Sequence, residues 1–231
     1  MSFGVVYVVN SEYFIPRVTH SIRSLRKVSD HPVTVCCKDE HLSELSKEGV
    51  NLVSLPENYL SPPADAKLYE KPNWHFYCKF FSFRLMPYEI NIHLDADTEV
   101  LRDPALAYDS NYDISFAREC HCDWLNKRFI KMQKCFNSGV AVYKRTPIME
   151  SFFREAENDF VYENINPYHS DQTSINRMIR GKFRHQISVN TLDQRWNVRV
   201  PFWNSIKDPY LLHSHNLFNK KRLNKIIEKW S

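Results

Sequence analysis

The sequence predicts an α/β domain: a mostly parallel central sheet, helices on both faces, and a smaller, irregular C-terminal half. Three observations lead there. Apolar runs of strand length alternate with helix-periodic stretches through the first hundred residues, the pattern of a parallel sheet with crossover helices. The 231 residues are 43% hydrophobic and 14% aromatic, enough for one sizeable core and too apolar for disorder. The apolar run Ile90-Asn91-Ile92-His93-Leu94 ends in two acids, Asp95 and Asp97, and parallel sheets hold their ligands beyond such strand ends.

The elements follow in order. Val5 to Val9 reads as the first strand, ending at Asn10. Pro16 sits at a tolerated early position of a helix carrying Val18, Ile22 and Leu25. Pro32 to Cys37 is the second strand, with Cys36 and Cys37 on opposite faces. Asp39 is expected to cap a helix through Leu42 and Leu45 that Gly49 stops. Val50 to Leu55 forms the third strand, closed by Pro56. A long loop is predicted over 58–72, with Pro62, Pro63 and Pro72. Asn73 caps a helix with Phe76, Phe80, Phe83 and Leu85 inward, closed by Pro87, and the acid-tipped strand follows. Beyond residue 100, Ile114 to Ala117 and Val140 to Tyr143 read as strands, and Ile148 to Phe160 and Asp171 to Ile179 as helices. Leu211-Leu212-His213 is a short strand. Asn219 to Trp230 is a basic amphipathic helix with Leu223, Ile226, Ile227 and Trp230 inward, suited to surface packing or to a membrane surface.

Composition excludes several function classes. A net charge of +4, from 31 basic and 27 acidic residues, is too mild to argue for nucleic acid. The four glycines, Gly4, Gly49, Gly139 and Gly181, lie far apart, so neither a dinucleotide fingerprint nor a P-loop can form. Any phosphate must be held by metal, by Lys or Arg, or by helix N-termini. No apolar run reaches the roughly 18 residues of a membrane span, and the first residues lack the features of a signal peptide. The expectation is a cytoplasmic protein or an excised catalytic domain, with its six cysteines as free, buried thiols. Cys120-His121-Cys122 with Cys135 matches no standard zinc spacing.

Two carboxylates at the end of a buried strand need an electrostatic reason. In one reading they hold a divalent cation that bridges to a diphosphate, neutralising it as a leaving group. In the other, Asp95 is the nucleophile of a haloacid-dehalogenase-like phosphatase, whose motif is Asp-x-Asp-x-Thr. Here the threonine comes one place early, at Thr98, and the motif follows three βα units instead of opening the fold. No Gly-Asp-x-x-x-Asp follows it, and Asp109 and Asp113 come too early to replace that motif.

Further segments point to the metal reading. Val9-Asn10-Ser11-Glu12-Tyr13, Lys79, Leu94-Asp95-Ala96-Asp97-Thr98, Cys135-Phe136-Asn137-Ser138-Gly139-Val140, Asp171-Gln172 and Leu211-Leu212-His213 occur in that order. From residue 5 to about 216 the chain thereby resembles the glycosyltransferases of family 8, glycogenin-like enzymes in particular. The resemblance implies a GT-A (Rossmann-like) fold in a single domain over 1–231: a nucleotide-binding half over 1–100, a sugar and acceptor half over 101–218, and a C-terminal helix over 219–231. It implies a metal-dependent, retaining transfer of sugar from a nucleotide-diphosphate donor, a UDP-sugar above others, to a hydroxyl of a glycan, protein or small molecule. Mn2+ or Mg2+ would sit on Asp95, Asp97 and His213. Asn10 and Tyr13 would hold the nucleotide, Lys79 and Ala96 would contact the donor, and Asn137, Ser138 and Gly139 would line the sugar. Asp171 and Gln172 would lie beside the anomeric carbon; if the enzyme inverts instead, Asp171 is the natural general base. At the family's closing His-Phe-x-Gly-x-x-Lys motif this chain has His213-Ser214-His215-Asn216-Leu217-Phe218-Asn219-Lys220-Lys221, so His215 competes with His213 as ligand.

Each residue also has a plainer reading. Asn137-Ser138-Gly139 makes an ordinary turn before a strand, Ser170 or Asp171 an ordinary N-cap, and Lys79 a solvated helix position. His213 suits a core side chain, and Trp74, Trp124, Trp196 and Trp203 suit either the core or sugar stacking. Two further classes share features with the chain. A nucleotidyltransferase would need a Gly-rich loop after the first strand, which is absent. A non-catalytic glycan-binding module would bind sugar without metal.

Overall fold

The computed structural model describes residues 1–61, 76–118, 136–163, 170–199 and 206–213. The proline loop from 62, the Asn73 cap, Trp74, the Cys120-His121-Cys122 group with Cys135, Trp124, Trp203, His215 and the C-terminal helix lie outside these residues.

The central sheet has seven strands: β1 (Phe3–Val9), β2 (Val33–Cys37), β3 (Asn51–Ser54), β4 (Ile90–Leu94), β6 (Ile114–Arg118), β7 (Phe136–Lys144) and β8 (Val189–Leu192). Their order is β3-β2-β1-β4-β7-β6-β8. Among its described strands β7 alone runs antiparallel. A second sheet of three short strands joins β5 (Thr98–Val100), β10 (Leu211–His213) and β9 (Val198–Arg199), with β10 antiparallel to β5 and parallel to β9.

Alternation along the strands sorts side chains between two cores. Val5, Tyr7 and Val9 of β1, Ile90, Ile92 and Leu94 of β4, and Val140 and Val142 of β7 pack with Val18, Ile22 and Leu25 of α1 (Ile15–Leu25) and Leu45 of α2 (Leu42–Leu45). On the other face Ala141 and Tyr143 join Phe80 and Phe83 of α3 (Cys78–Leu85), Phe152, Phe153 and Phe160 of α4 (Pro147–Tyr162) and Ile175 of α5 (Asp171–Arg180). Each such buried side chain stabilises the fold by ~1.5–3 kcal/mol. Arg84 Nη1 and Tyr77 Oη both bond the buried Glu157, at 2.7 and 2.9 Å, and tie α3 to α4.

Most expected elements are present, with instructive differences. Around Asp39 the chain forms 3-10 turns flanking a four-residue α2; Lys38, not Asp39, holds the cap position, and Gly49 closes the segment at φ 64°. β7 begins at Phe136, so Asn137-Ser138-Gly139 is strand, not the expected turn. β5, β8 and β9 were not foreseen, being two to four residues long and largely polar. Trp196 is core, packed edge-on against Tyr210 at 4.9 Å.

Cys37 packs in the α1-side core and Cys36 in a separate cluster with Val6, Leu55 and Cys78, and all three cysteines are buried free thiols. Burial, with Asp39 nearby, pushes the Cys37 thiol up to about 11, and burial pushes Cys78 up to about 12. Since the thiolate is the reactive form, maleimide labelling at pH 7.5 followed by peptide mapping is expected to leave these three unmodified in native protein and modified in guanidinium.

Candidate active site

The candidate residues converge on one edge of the sheet. Asn10 follows β1, and Asp95 and Asp97 follow β4. Because β7 is antiparallel to β4, its first residues lie at the same edge, and Asp95 N–H donates to the Gly139 carbonyl at 2.8 Å.

The second sheet delivers the histidine. Pairing of β10 with β5 sets His213 opposite Thr98, one residue past Asp97. One ligand atom each from Asp95, Asp97 and His213 lie within 4.8 Å of one another. His213 Nε2 is 3.4 Å from Asp95 Oδ2 and 3.2 Å from Asp97 Oδ1. The other ring nitrogen, Nδ1, donates to Asn197 Oδ1 at 2.8 Å, which turns Nε2 toward the carboxylates. Asp95 and Asp97 repel each other across this cluster, and a cation between them removes the repulsion. Two oxygens and one imidazole nitrogen form a donor set suited to a divalent cation. Gly139 makes room for it: a Cβ there would lie 2.4 Å from Asp95 Oδ2 and 2.7 Å from His213 Cε1. Among the described residues, His213 of β10 is a histidine brought to both acids.

Buried hydroxyls fix the acidic loop. Tyr7 Oη and Ser21 Oγ are 2.9 Å apart, Ser21 Oγ and Thr98 Oγ1 2.7 Å, and Thr98 Oγ1 donates to the Asp95 carbonyl at 2.9 Å. Val100 N–H donates to Ser24 Oγ at 2.9 Å, and the buried Glu99 pairs with His20. α1 therefore anchors the loop, a role for which its serines gave no signal beyond being polar at buried helical spacing. Asn197 was missed for want of a motif. Its replacement by leucine is expected to weaken Mn2+ binding roughly 10–100-fold, as loss of a partner that orients a ligand histidine does, measured by calorimetric titration.

Lys79 is buried, not a solvated helix position. Its Nζ is 2.6 Å from Asp95 Oδ1 and 3.4 Å from Asp171 Oδ2. Burial disfavours its charge, but Asp171, Asp95 and Asp97 outweigh that and hold it above the ordinary lysine range. Burial likewise works against ionising Asp95, yet Lys79, His93 and His213 hold its carboxyl well below the usual range. Among the described residues the carboxylates of Asp95, Asp97 and Asp171 gather around the ammonium of Lys79, a charge balance that a divalent cation suits. His93 was also missed: fully buried, it packs on Phe83 at 4.4 Å between centroids, with Nε2 3.8 Å from Asp95 Oδ1.

Asp171 opens α5 but does not cap it; Ser170 does, in a capping box with Thr173. The Asp171 carboxylate is 2% exposed, and among the described residues its Oδ2 makes no hydrogen bond. Gln172 Oε1 accepts from Asn137 Nδ2 at 3.1 Å, and Asn137 Oδ1 accepts from Gly139 N–H at 2.9 Å. Asn176, unforeseen, explains why β7 starts early. Its side chain accepts from Phe136 N–H and donates to Phe136 C=O, both at 2.9 Å, and donates to Gln172 C=O at 2.7 Å. A side chain thereby stands in for a strand partner beside the irregularity at Phe116/Ala117.

A small cavity of about 60 Å3 adjoins the acids, lined by Asn10, Phe14, Phe76, Lys79, Ala96 and Asp97 among others. Tyr13 is not part of it. That ring is 55% exposed, with the Arg17 guanidinium 3.5 Å from its centroid, and Phe14 takes the place in the wall. Ser138 is buried within β7.

Comparison with solved structures agrees with this architecture. The apo structure of the bifunctional glycosyltransferase WbbM superposes with a TM-score of 0.63 at 15% identity over 93% of this chain and 46% of its own. The galactosyltransferase LgtC, solved with donor and acceptor sugar analogues, gives 0.62 at 12% identity, covering 99% of this chain and 96% of its own. GlyE of Streptococcus pneumoniae TIGR4 gives 0.58 at 17%, over 93% and 56%. The fold is GT-A. The chain spans about half the length of the WbbM and GlyE structures and nearly all of LgtC. No protein-family model and no curated sequence matches it. Among the described residues no helix is long and apolar enough to cross a membrane.

Proposed function

We propose that this protein is a metal-dependent glycosyltransferase that moves a sugar from a nucleotide-diphosphate donor to a hydroxyl acceptor with retention of configuration, UDP-sugars being the donors to test first. The observation that carries the reading is the Asp95, Asp97 and His213 cluster at the strand ends, with ligand atoms within 4.8 Å, beside Lys79 and Asp171. Glycosyltransferase structures of the same fold support it.

Mn2+ or Mg2+ held by Asp95, Asp97 and His213 supplies Lewis-acid neutralisation of the diphosphate leaving group. The chain's own residues do the remainder. Lys79 keeps its charge through its carboxylate partners and sets a fixed ammonium beside the phosphate site. Asn10 and the aromatic wall of Phe14 and Phe76 receive the nucleotide. Asn137, held by Gln172, orients the sugar hydroxyls together with Ser138 and Gly139. Asp171 supplies a buried carboxylate, beside Lys79, to the sugar end of the site.

Thermal-shift screening of nucleotide sugars with and without Mn2+ tests the reading. Stabilisation by a donor only when metal is present is expected. No shift with any donor would sink it, and nucleotide-independent phosphate ester hydrolysis lost in Asp95→Asn would assign a phosphatase instead.

A further inference from the structure

A second cleft opens along the same sheet edge. Ala117 of β6 lies opposite Asn137 of β7 on one side and Leu192 of β8 on the other. Two strand spacings, about 10 Å, therefore separate Asn137 from the end of β8. There a cavity of about 590 Å3 is lined by Arg118, Thr191, Asp193, Gln194, Arg195 and Ile206 among others. That volume falls within the roughly 300–1,000 Å3 of ligand clefts, but its wall is unusually polar for a cleft of that kind.

Asp193 and Arg195 form a multiply hydrogen-bonded pair in that wall. Asp193 Oδ1 accepts from Arg195 N–H at 2.8 Å and from Nε at 3.1 Å, and Oδ2 accepts from Nη2 at 2.5 Å. The guanidinium lies 4.3 Å from the Tyr210 ring centroid, and Tyr210 N–H donates to the Arg195 carbonyl at 2.8 Å. Both side chains stay open, 49% and 40% exposed. The carboxylate has lone pairs to spare and the guanidinium has further N–H donors on Nη1. A fixed acceptor and donor side by side match two neighbouring hydroxyls of a sugar ring, one giving and one taking a hydrogen bond. The pair is neutral as a unit, so it does not demand a charged ligand.

We infer that this cleft is the saccharide acceptor subsite, with Asp193 and Arg195 gripping a vicinal diol of the acceptor. The inference rests on the transferase reading of the neighbouring edge. The cleft is on the Asn137 side of the site, so a sugar held there approaches the donor sugar and not the nucleotide.

A glycan array, probed with the protein in Mn2+ and UDP, identifies the saccharide. Saturation-transfer NMR then measures its affinity for wild type, Asp193→Asn and Arg195→Gln. At least tenfold weaker binding in each variant, with unchanged melting temperature and unchanged Mn2+ and UDP titrations, is the expected result. No saccharide bound by wild type, or equal affinity in both variants, overturns the inference. The metal and nucleotide titrations report the donor end separately. Saccharide binding through Asp193 without donor binding would keep the cleft and remove the transferase reading.

Discussion

Asp97→Asn is expected to abolish Mn2+-dependent stabilisation by a nucleotide sugar while leaving the metal-free protein at least as stable as wild type. The two effects differ in sign for one reason. Asp97 Oδ1 lies 3.2 Å from His213 Nε2 and shares the cluster with Asp95. Without a cation, the carboxylate adds charge repulsion to a buried site, and a neutral amide of the same shape relieves it. With a cation, the same substitution removes a charged ligand. The loss should exceed the roughly 10–100-fold cost of losing an outer partner. If the metal-bound form gains about 2.7 kcal/mol when ligand is at 100 times Kd, a hundredfold weaker site gains only about 0.4 kcal/mol. Calorimetric titration of Mn2+ and melting curves with and without metal measure both halves. A variant that binds Mn2+ like wild type would remove Asp97 from the ligand set.

Gly139→Ala is expected to damage both stability and metal binding by steric means alone. The added methyl would lie 2.4 Å from Asp95 Oδ2, 2.7 Å from His213 Cε1 and 2.9 Å from Asn137 Oδ1. None of these can yield freely. Asp95 is held by Lys79 and by its own N–H on the Gly139 carbonyl, His213 by Asn197, and Asn137 by Gln172. Overpacking of this kind costs ~1–3 kcal/mol, which lowers Tm by several degrees at roughly 2–4 °C per kcal/mol for a domain of this size. The movement that relieves the clash must displace two of the three side chains proposed to hold metal and the asparagine proposed to face the sugar. A modest fall in Tm should therefore accompany a much larger loss of Mn2+ affinity. An alanine variant with wild-type Mn2+ affinity would show that Gly139 is not part of the cradle.

Much of the architecture was legible because hydrophobic periodicity is local. The runs at Val5, Pro32 and Ile90 and the helical spacing of Val18, Ile22 and Leu25 state which faces are apolar, and the two cores sort the strand residues by that alternation. The acids after Ile90–Leu94 were legible as a site because charge beside a buried strand requires a partner. Short elements carried no such signal. β5 and β9 have three and two residues, and they exist because β10 pairs with both. Lys79 and Asn176 looked like ordinary helix residues, since a helix pattern does not say what faces it across space.

The sequence alone determined the sheet type, the order of the motifs, and that Asp95 and Asp97 end a buried strand, because strand period and charge placement depend only on neighbours in the chain. The tertiary structure decided which distant groups meet those acids. Register in a three-residue pairing brings His213 beside Asp97, the antiparallel course of β7 brings Gly139 onto Asp95, and packing of α3 aims Lys79 between Asp95 and Asp171. These contacts join residues 16 to 116 positions apart, and only closure of the whole core fixes such distances.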